Sequence, residues 1–291
     1  ASRGLGDVYK RQVMGFPMAG HLSKNFKISV FNRSQSKADK WKKNFAGTVC
    51  NSVKEISSHS EILILCVGND KEVREIICDK DGATSFLKPG SIIIDHTTTS
   101  SDLAIELSSS LKSKNIDFID APISGGQSGA ELGQLSIMVG GDRNIYEEVK
   151  NILKVYSKFS KYMGPSGYGQ LTKMVNQICI AGLIQALSEG MNFSDKVGLN
   201  TKDVIEVVSK GAAQSWQMEN RWKTMLQDSY DHGFSVDLMK KDLDIVISKA
   251  SKENINIEVT KVVNDCYKEI QQAGGGKWDT SSLYKRLKEI V

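Results

Sequence analysis

Five short apolar runs, rich in β-branched residues, set the strongest constraint on this chain. They occupy residues 27–31, 62–67, 91–95, 117–120 and 135–139, and helix-length segments such as 70–77 and 101–114 separate them. A strand needs an unbroken apolar run only when both of its faces are covered. Alternation of such strands with helices predicts a parallel, doubly wound α/β sheet of the Rossmann type. The rhythm changes after Gly164-Pro165-Ser166-Gly167. Leu171, Met174, Val175, Ile178, Ile184 and Leu187 recur at helical spacing, in a helix that runs from Tyr168 to about Lys196. Further helices are expected near 201–210, 214–227, 235–252 and 257–272, then a triple-glycine loop (274–276) and a last short helix. The reading is two domains, a dinucleotide-binding domain over 1–164 and an all-helical domain over 165–291, joined by the long helix.

The 291 residues are 40% apolar and 25% charged, an ordinary globular balance, with a net charge of only +4. No clustered basic face supports a nucleic-acid surface. Lys37, Lys40, Lys42 and Lys43 fit the solvated side of a helix. Five scattered cysteines argue against a disulfide framework or a zinc site and for a reducing compartment. The longest apolar stretch falls far short of a membrane span, and no secretion signal is evident. The expected setting is the cytoplasm, with no membrane, metal or nucleic-acid partner.

A dinucleotide domain opens with a strand, a glycine turn and a helix whose N-terminus receives the pyrophosphate. Met14 and Gly15 read as the end of such a turn, with Gly15 as the third glycine of the fingerprint. Lys10 and Gln12 stand where the first two glycines belong, and the polar stretch over residues 1–12 lacks the apolar strand. Either the chain binds phosphate in a divergent way, or residues 1–12 are foreign sequence and the first strand is missing. The end of the second strand carries Asn32-Arg33-Ser34 rather than the Asp or Glu that suits NAD. No carboxylate there repels a 2′-phosphate, and Arg33 can pair with one bidentately. The expected cofactor is NADP(H) in preference to NAD(H), with Lys37 adding charge. Val67 and Thr98 lie at the next two strand ends, where ligands of this fold class bind. The threonine run also suits a helix cap, and His96 reads as a hydrogen-bonded strand-end residue rather than a metal ligand.

Ser124, Gly125 and Gly126 end the segment Asp120-Ala121-Pro122-Ile123-Ser124-Gly125-Gly126. A hydroxyl followed by two residues without Cβ suits an anion such as a carboxylate. Gly169, Lys173 and Asn176 share one face of the long helix, at spacings of four and three. On that face Gly169 permits close approach of a ligand or of backbone. Lys173 and Asn176 would project into a cleft between domains, where desolvation tunes a lysine for proton transfer. Taken alone, such a pair also fits a solvated helix start.

Together the Gly15 turn, the 120–126 segment, the 169–176 helix and Lys241-Asp242-Leu243 resemble the β-hydroxyacid dehydrogenase family. That family includes 3-hydroxyisobutyrate dehydrogenase, tartronate semialdehyde reductase and the glyoxylate/succinic semialdehyde reductases. The resemblance covers nearly all the chain from Val13 onward. It implies that Lys173 is the catalytic acid/base and that Asn176 holds the substrate. Ser124, Gly125 and Gly126 would take the carboxylate of a small alcohol or aldehyde, while Thr98 and Lys241 contact the cofactor near its nicotinamide. It also implies a homodimer or homotetramer built on the helical domains. Trp216 and Phe234 either bound the substrate pocket or pack the core. 6-Phosphogluconate dehydrogenase needs a longer helical domain, and imine reductases usually replace the lysine. A non-catalytic NADP-binding scaffold of dehydrogenase-like build is the alternative function; it would not need Lys173.

Overall fold

In the computed structural model, residues 5–6 and 14–289 are described, with side chains from residue 14 on. The first part of the chain alternates strand and helix. It runs β1 (Leu5–Gly6), α1 (Gly15–Leu22), β2 (Ile28–Val30), α2 (Gln35–Asn44), β3 (Thr48–Val49), α3 (Val53–His59), β4 (Ile62–Leu65) and α4 (Asp70–Cys78). It continues with β5 (Ile92–Asp95), α5 (Ser101–Lys112), β6 (Asp117–Asp120), β7 (Ile123–Ser124), α6 (Gly126–Glu131), β8 (Leu135–Gly140), α7 (Arg143–Leu153) and β9 (Ser157–Gly164). Helices follow: α8 (Tyr168–Lys196), α9 (Thr201–Val208), α10 (Trp216–Leu226), α11 (Val236–Lys252), α12 (Glu258–Gln272) and α13 (Leu283–Glu289).

The strands form one sheet in the order β3-β2-β1-β4-β5-β6-β8-β7, with β9 beside β8. Strands β3 to β6 are parallel neighbours along that order, which is the doubly wound arrangement. Period-two alternation sorts the central residues onto two cores. Ile62, Ile64, Ile92 and Ile94 pack with α1 and α7 residues such as Met18 and Val149. Leu63, Leu65 and Ile93 face the opposite side, against Val73 and Ile77 of α4 and Leu103, Leu107 and Leu111 of α5. Each such buried side chain contributes roughly 1.5–3 kcal/mol.

Two expectations need correction. The sequence reading has no first strand, yet Leu5–Gly6 fills the central slot, pairing with Ile28 and Ser29 on one side and Ile62 and Leu63 on the other. Ladder bonds are made by backbone, so a polar segment can occupy two positions there without supplying an apolar run. Lys10, Gln12 and Val13, where the fingerprint places the glycine turn, lie outside the described residues. Secondly, the sheet is not wholly parallel. β8 runs antiparallel to β6 and β7, with Asp120 opposite Gly140 and Ser124 opposite Ser136. Residues 125–134 are too few for a crossover back to a parallel strand, so the chain folds back through α6 and Gly133, at φ +66°.

The chain divides into two compact units, 1–173 and 174–291. The division falls inside α8, after Lys173, rather than at the end of β9. The second unit has its own cores. Ala181 and Ile184 of α8 pack with Met239 and Leu243 of α11 and with Val263 and Tyr267 of α12. Leu187 and Met191 pack with Ile205, Met218 and Tyr284. No described helix is long and apolar enough to cross a membrane.

Candidate active site

Helix α1 begins at Gly15, with Met14, 9% exposed, before it. At the β2 end Asn32 turns back on its own backbone, its Oδ1 accepting the Ser34 N–H at 2.9 Å. Ser34 is the residue that precedes α2. Arg33 stands 54% exposed, and Lys37 shares a pocket with Phe16, Ala19, Asn32 and Trp41. Two strands along the sheet, after β4, Val67 is buried and its N–H donates to Thr97 Oγ1 at 3.0 Å. The Gly68 N–H donates at 2.8 Å to Glu72 Oε2, while Glu72 Oε1 lies 3.9 Å from Arg33 Nη2. The carboxylate missing from the β2 end therefore reaches it from α4, which the sequence reading did not find. An exposed guanidinium, a residue without a side chain at Gly68 and the pocket beside Lys37 suit the ribose and phosphate of an adenine nucleotide.

The loop after β5 carries Thr98 between two buried neighbours. Gln170, fully buried, brackets it: its Nε2 donates to Thr97 O at 2.7 Å and its Oε1 accepts the Thr99 N–H at 3.0 Å. Ser100, not the threonine run, caps α5, its hydroxyl accepting the Leu103 N–H. Asp95, which ends β5, is buried; desolvation pushes its carboxyl up to about 7, against the opposing hydrogen bonds from Thr97. His96 is structural. Its Nδ1 faces the Ala121 carbonyl oxygen and its Nε2 lies 2.9 Å from the Tyr156 hydroxyl. Burial lowers it to about 4, so the ring is neutral.

Asp120 ends β6 and binds the start of α8. Its Oδ1 accepts the Gly167 N–H at 2.8 Å and its Oδ2 the Gln170 N–H at 2.9 Å. Burial raises this carboxyl to about 6, against the backbone N–H bonds that favour the charged form. The closeness explains Gly169, where a Cβ would lie 2.6 Å from both Asp120 O and Met138 O. What approaches Gly169 is thus backbone, one of the two options the sequence left open. Asp120 and Gln170 together tie the first turn of α8 to the ends of two strands. That is the physical reason the compact unit extends to Lys173.

Lys173 follows one turn after Gly169 and is buried, with 7% exposure. The loop after β7 belongs to the same unit. Ser124 ends that strand, Gly125 at φ +133° precedes α6 and Gly126 at φ +62° begins it. Both glycines hold left-handed backbone that a side chain would strain, and nothing lies within 4 Å of a Cβ built at Gly126. Asn176 and Lys241 belong to the helical unit. Asn176 Nδ2 donates to Gln177 Oε1 at 2.7 Å, Gln177 Nε2 donates to Asp242 Oδ2 at 2.7 Å, and Asp242 Oδ1 lies 2.7 Å from Lys241 Nζ. Two hydrogen bonds and an ion pair thus link the two predicted residues through Gln177 and Asp242, both buried. Trp216 is 51% exposed with Arg221 over its ring at 5.0 Å, whereas Phe234 packs against a core.

Residues 12–164 match the NAD binding domain of 6-phosphogluconate dehydrogenase, and residues 167–287 match the NAD-binding domain of NADP-dependent 3-hydroxyisobutyrate dehydrogenase. An uncharacterized oxidoreductase of Shewanella frigidimarina is 47% identical over 278 residues, 95% of this chain and 96% of its own. A probable mitochondrial 3-hydroxyisobutyrate dehydrogenase-like protein of Arabidopsis thaliana is 34% identical over 280 residues, 96% of this chain and 83% of its own. The fold matches Mycobacterium tuberculosis 3-hydroxyisobutyrate dehydrogenase, solved with L-serine, at a TM-score of 0.88. That match covers 99% of this chain and 100% of the other, with 22% identity.

Proposed function

The chain belongs to the β-hydroxyacid dehydrogenase family and is a nicotinamide-dependent oxidoreductase, and on that premise we propose that it reduces a small aldehyde acid, or oxidises the matching hydroxy acid, with Lys173 as general acid/base. The candidate substrates are 3-hydroxyisobutyrate, tartronate semialdehyde, glyoxylate and succinic semialdehyde. The observation that carries the reading is the placement of Lys173. A lysine serving only solubility keeps its ammonium in water. This one is 7% exposed, one turn beyond two buried tethers to strand ends that carry Thr98 and lead to Ser124.

NADPH, when bound, supplies the hydride, and NADP+ accepts it in the reverse direction. Met14 and Gly15 at the start of α1, the Asn32-Arg33-Ser34 turn, Val67 and Thr98 are the residues that would hold it, with Lys241 beside the nicotinamide. Arg33 supports NADP(H) over NAD(H). The backbone N–H groups of Ser124, Gly125 and Gly126 hold the substrate carboxylate, and Asn176 orients the substrate. Lys173 gives a proton from Nζ to the carbonyl oxygen as negative charge develops there, and takes it back from the hydroxyl during oxidation. Exposed Val175, Leu183 and Phe193 on α8, with Val259 and Val262 on α12, support a homo-oligomer built on the helical unit. The cysteines form no disulfide, in keeping with work in the cytoplasm.

The test measures NADPH oxidation with glyoxylate, succinic semialdehyde and tartronate semialdehyde, and NADP+ reduction with 3-hydroxyisobutyrate. With the substrate that turns over best, Lys173→Ala should lower kcat by roughly 10²–10⁴-fold. NADPH affinity, measured by calorimetric titration, should stay within a factor of two. A loss of kcat below tenfold would remove Lys173 from the acid/base role.

A further inference from the structure

Helix α4 begins with a device that does more than cap it. Asn69 accepts the Glu72 N–H through its Oδ1 at 3.0 Å, and Glu72 reaches back to accept the Gly68 N–H at 2.8 Å. This reciprocal arrangement fixes the Glu72 side chain, 13% exposed, at the strand-end face of the sheet. Only one carboxylate oxygen is used by the Gly68 N–H. The other points toward the β2 end and stands 3.9 Å from Arg33 Nη2. Gly68 leaves the room for this, because a Cβ there would lie 2.8 Å from Glu72 Oε2.

We propose that Glu72 is a specificity-determining residue, which engages the Arg33 guanidinium in competition with the 2′-phosphate of NADP(H) and so holds down the chain's preference for NADP(H) over NAD(H). The inference rests on the reading that Arg33 meets that phosphate. Two effects act in the same direction. The Glu72 charge draws Arg33 away from an incoming phosphate, and it repels the phosphate itself. An NAD(H) ribose presents hydroxyls instead, which a carboxylate accepts without penalty. Specificity here is then a balance between one cation after β2 and one anion on the helix after β4, rather than the product of Arg33 alone.

The measurement is calorimetric titration of the full chain with NADP+ and with NAD+, without substrate. Glu72→Gln keeps an amide oxygen for the Gly68 N–H and removes the charge. It should tighten NADP+ by about three- to five-fold, the scale of a partly exposed ion pair, and leave NAD+ unchanged or weaker. Glu72→Asp withdraws the carboxylate from Arg33 while keeping an acid at this helix start, and should move NADP+ the same way. Arg33→Ala should weaken NADP+ selectively, and Glu72→Gln added to it should tighten NADP+ less than it does with Arg33 present, since only the direct repulsion is then relieved. If Arg33→Ala lowers the NADP+/NAD+ ratio but both Glu72 variants leave NADP+ within 1.5-fold, the Glu72 proposal is overturned and the Arg33 reading stands. A Glu72→Gln gain of the same size without Arg33 overturns the proposal in the same way. If Arg33→Ala leaves the ratio unchanged, the Arg33 reading fails and takes the proposal with it.

Discussion

Replacing Gln170 by methionine isolates the clamp on the Thr98 loop. Methionine matches the length and flexibility of glutamine, so the change removes polarity while leaving little cavity. Two groups lose their partner: the Thr99 N–H, now 3.0 Å from Oε1, and the Thr97 carbonyl, now 2.7 Å from Nε2. Thr97 and Thr99 are 2% and 1% exposed, so water does not replace the lost bonds. A buried group left without its hydrogen bond costs about 1–3 kcal/mol, and two give roughly 2–6 kcal/mol. For a unit of this size each kcal/mol moves Tm by roughly 2–4 °C. Differential scanning calorimetry should therefore show a fall of at least about 4 °C. Gln170→Glu keeps the acceptor for Thr99 and sets an oxygen against the Thr97 carbonyl, so it should fall further. Because the loosened loop carries Thr98, KM for NADPH should rise more than KM for the aldehyde. A Gln170→Met protein that melts within about 1 °C of the parent would refute the clamp.

Two other outcomes follow from the same geometry. The Asp95 carboxyl is raised to about 7 in the fold by burial and sits near 3.8 when exposed, so the folded state binds the extra proton between those values. Stability from this group is then greatest at low pH and declines as pH rises toward 7, by up to about 1.4 kcal/mol per pH unit. Asp95→Asn should flatten that decline in urea denaturation between pH 5 and 8, and an unaltered slope would contradict it. Replacing residues 1–12 with an apolar strand and a glycine turn should tighten NADPH binding in titration, because among the described residues β1 pairs two positions in a central slot; equal affinity would show that the present segment serves as well.

The legible parts of this chain are those with a local period. Residues 62–65 and 92–95 read as strands because every position in them is buried, and α8 emerges from tyrosine to lysine because its apolar spacing is unbroken. β9 escapes because Lys158 and Lys161 make it polar, as an edge strand tolerates. β3 and β7 escape because two residues carry no period. In the site, glycines, a lysine and an asparagine at helical spacing can be read as a motif, since their positions on one helix are local. Glu72 and Gln177 could not. Each acts through a partner distant in sequence, and in the sequence a glutamate on an amphipathic helix is indistinguishable from a solvated one.

Gln170 shows where that boundary lies. It stands beside Gly169 in the motif, yet its meaning comes from residues some seventy positions earlier. The first turn of α8 has to meet the β6 end closely enough that position 169 tolerates no Cβ, with two carbonyl oxygens at 2.6 Å. That proximity brings the α8 amides onto the Asp120 carboxylate, which satisfies N–H groups a helix start otherwise leaves without partners. The same approach buries position 170, and a buried polar side chain there must find both a donor and an acceptor. The Thr97–Thr99 backbone offers both. Lys173, one turn on, is then carried on a helix start fastened to two strand ends. On the proposed acid/base role, a donor carried on a fastened helix start loses less entropy on meeting its substrate, and the tethers then serve the chemistry along with the lysine.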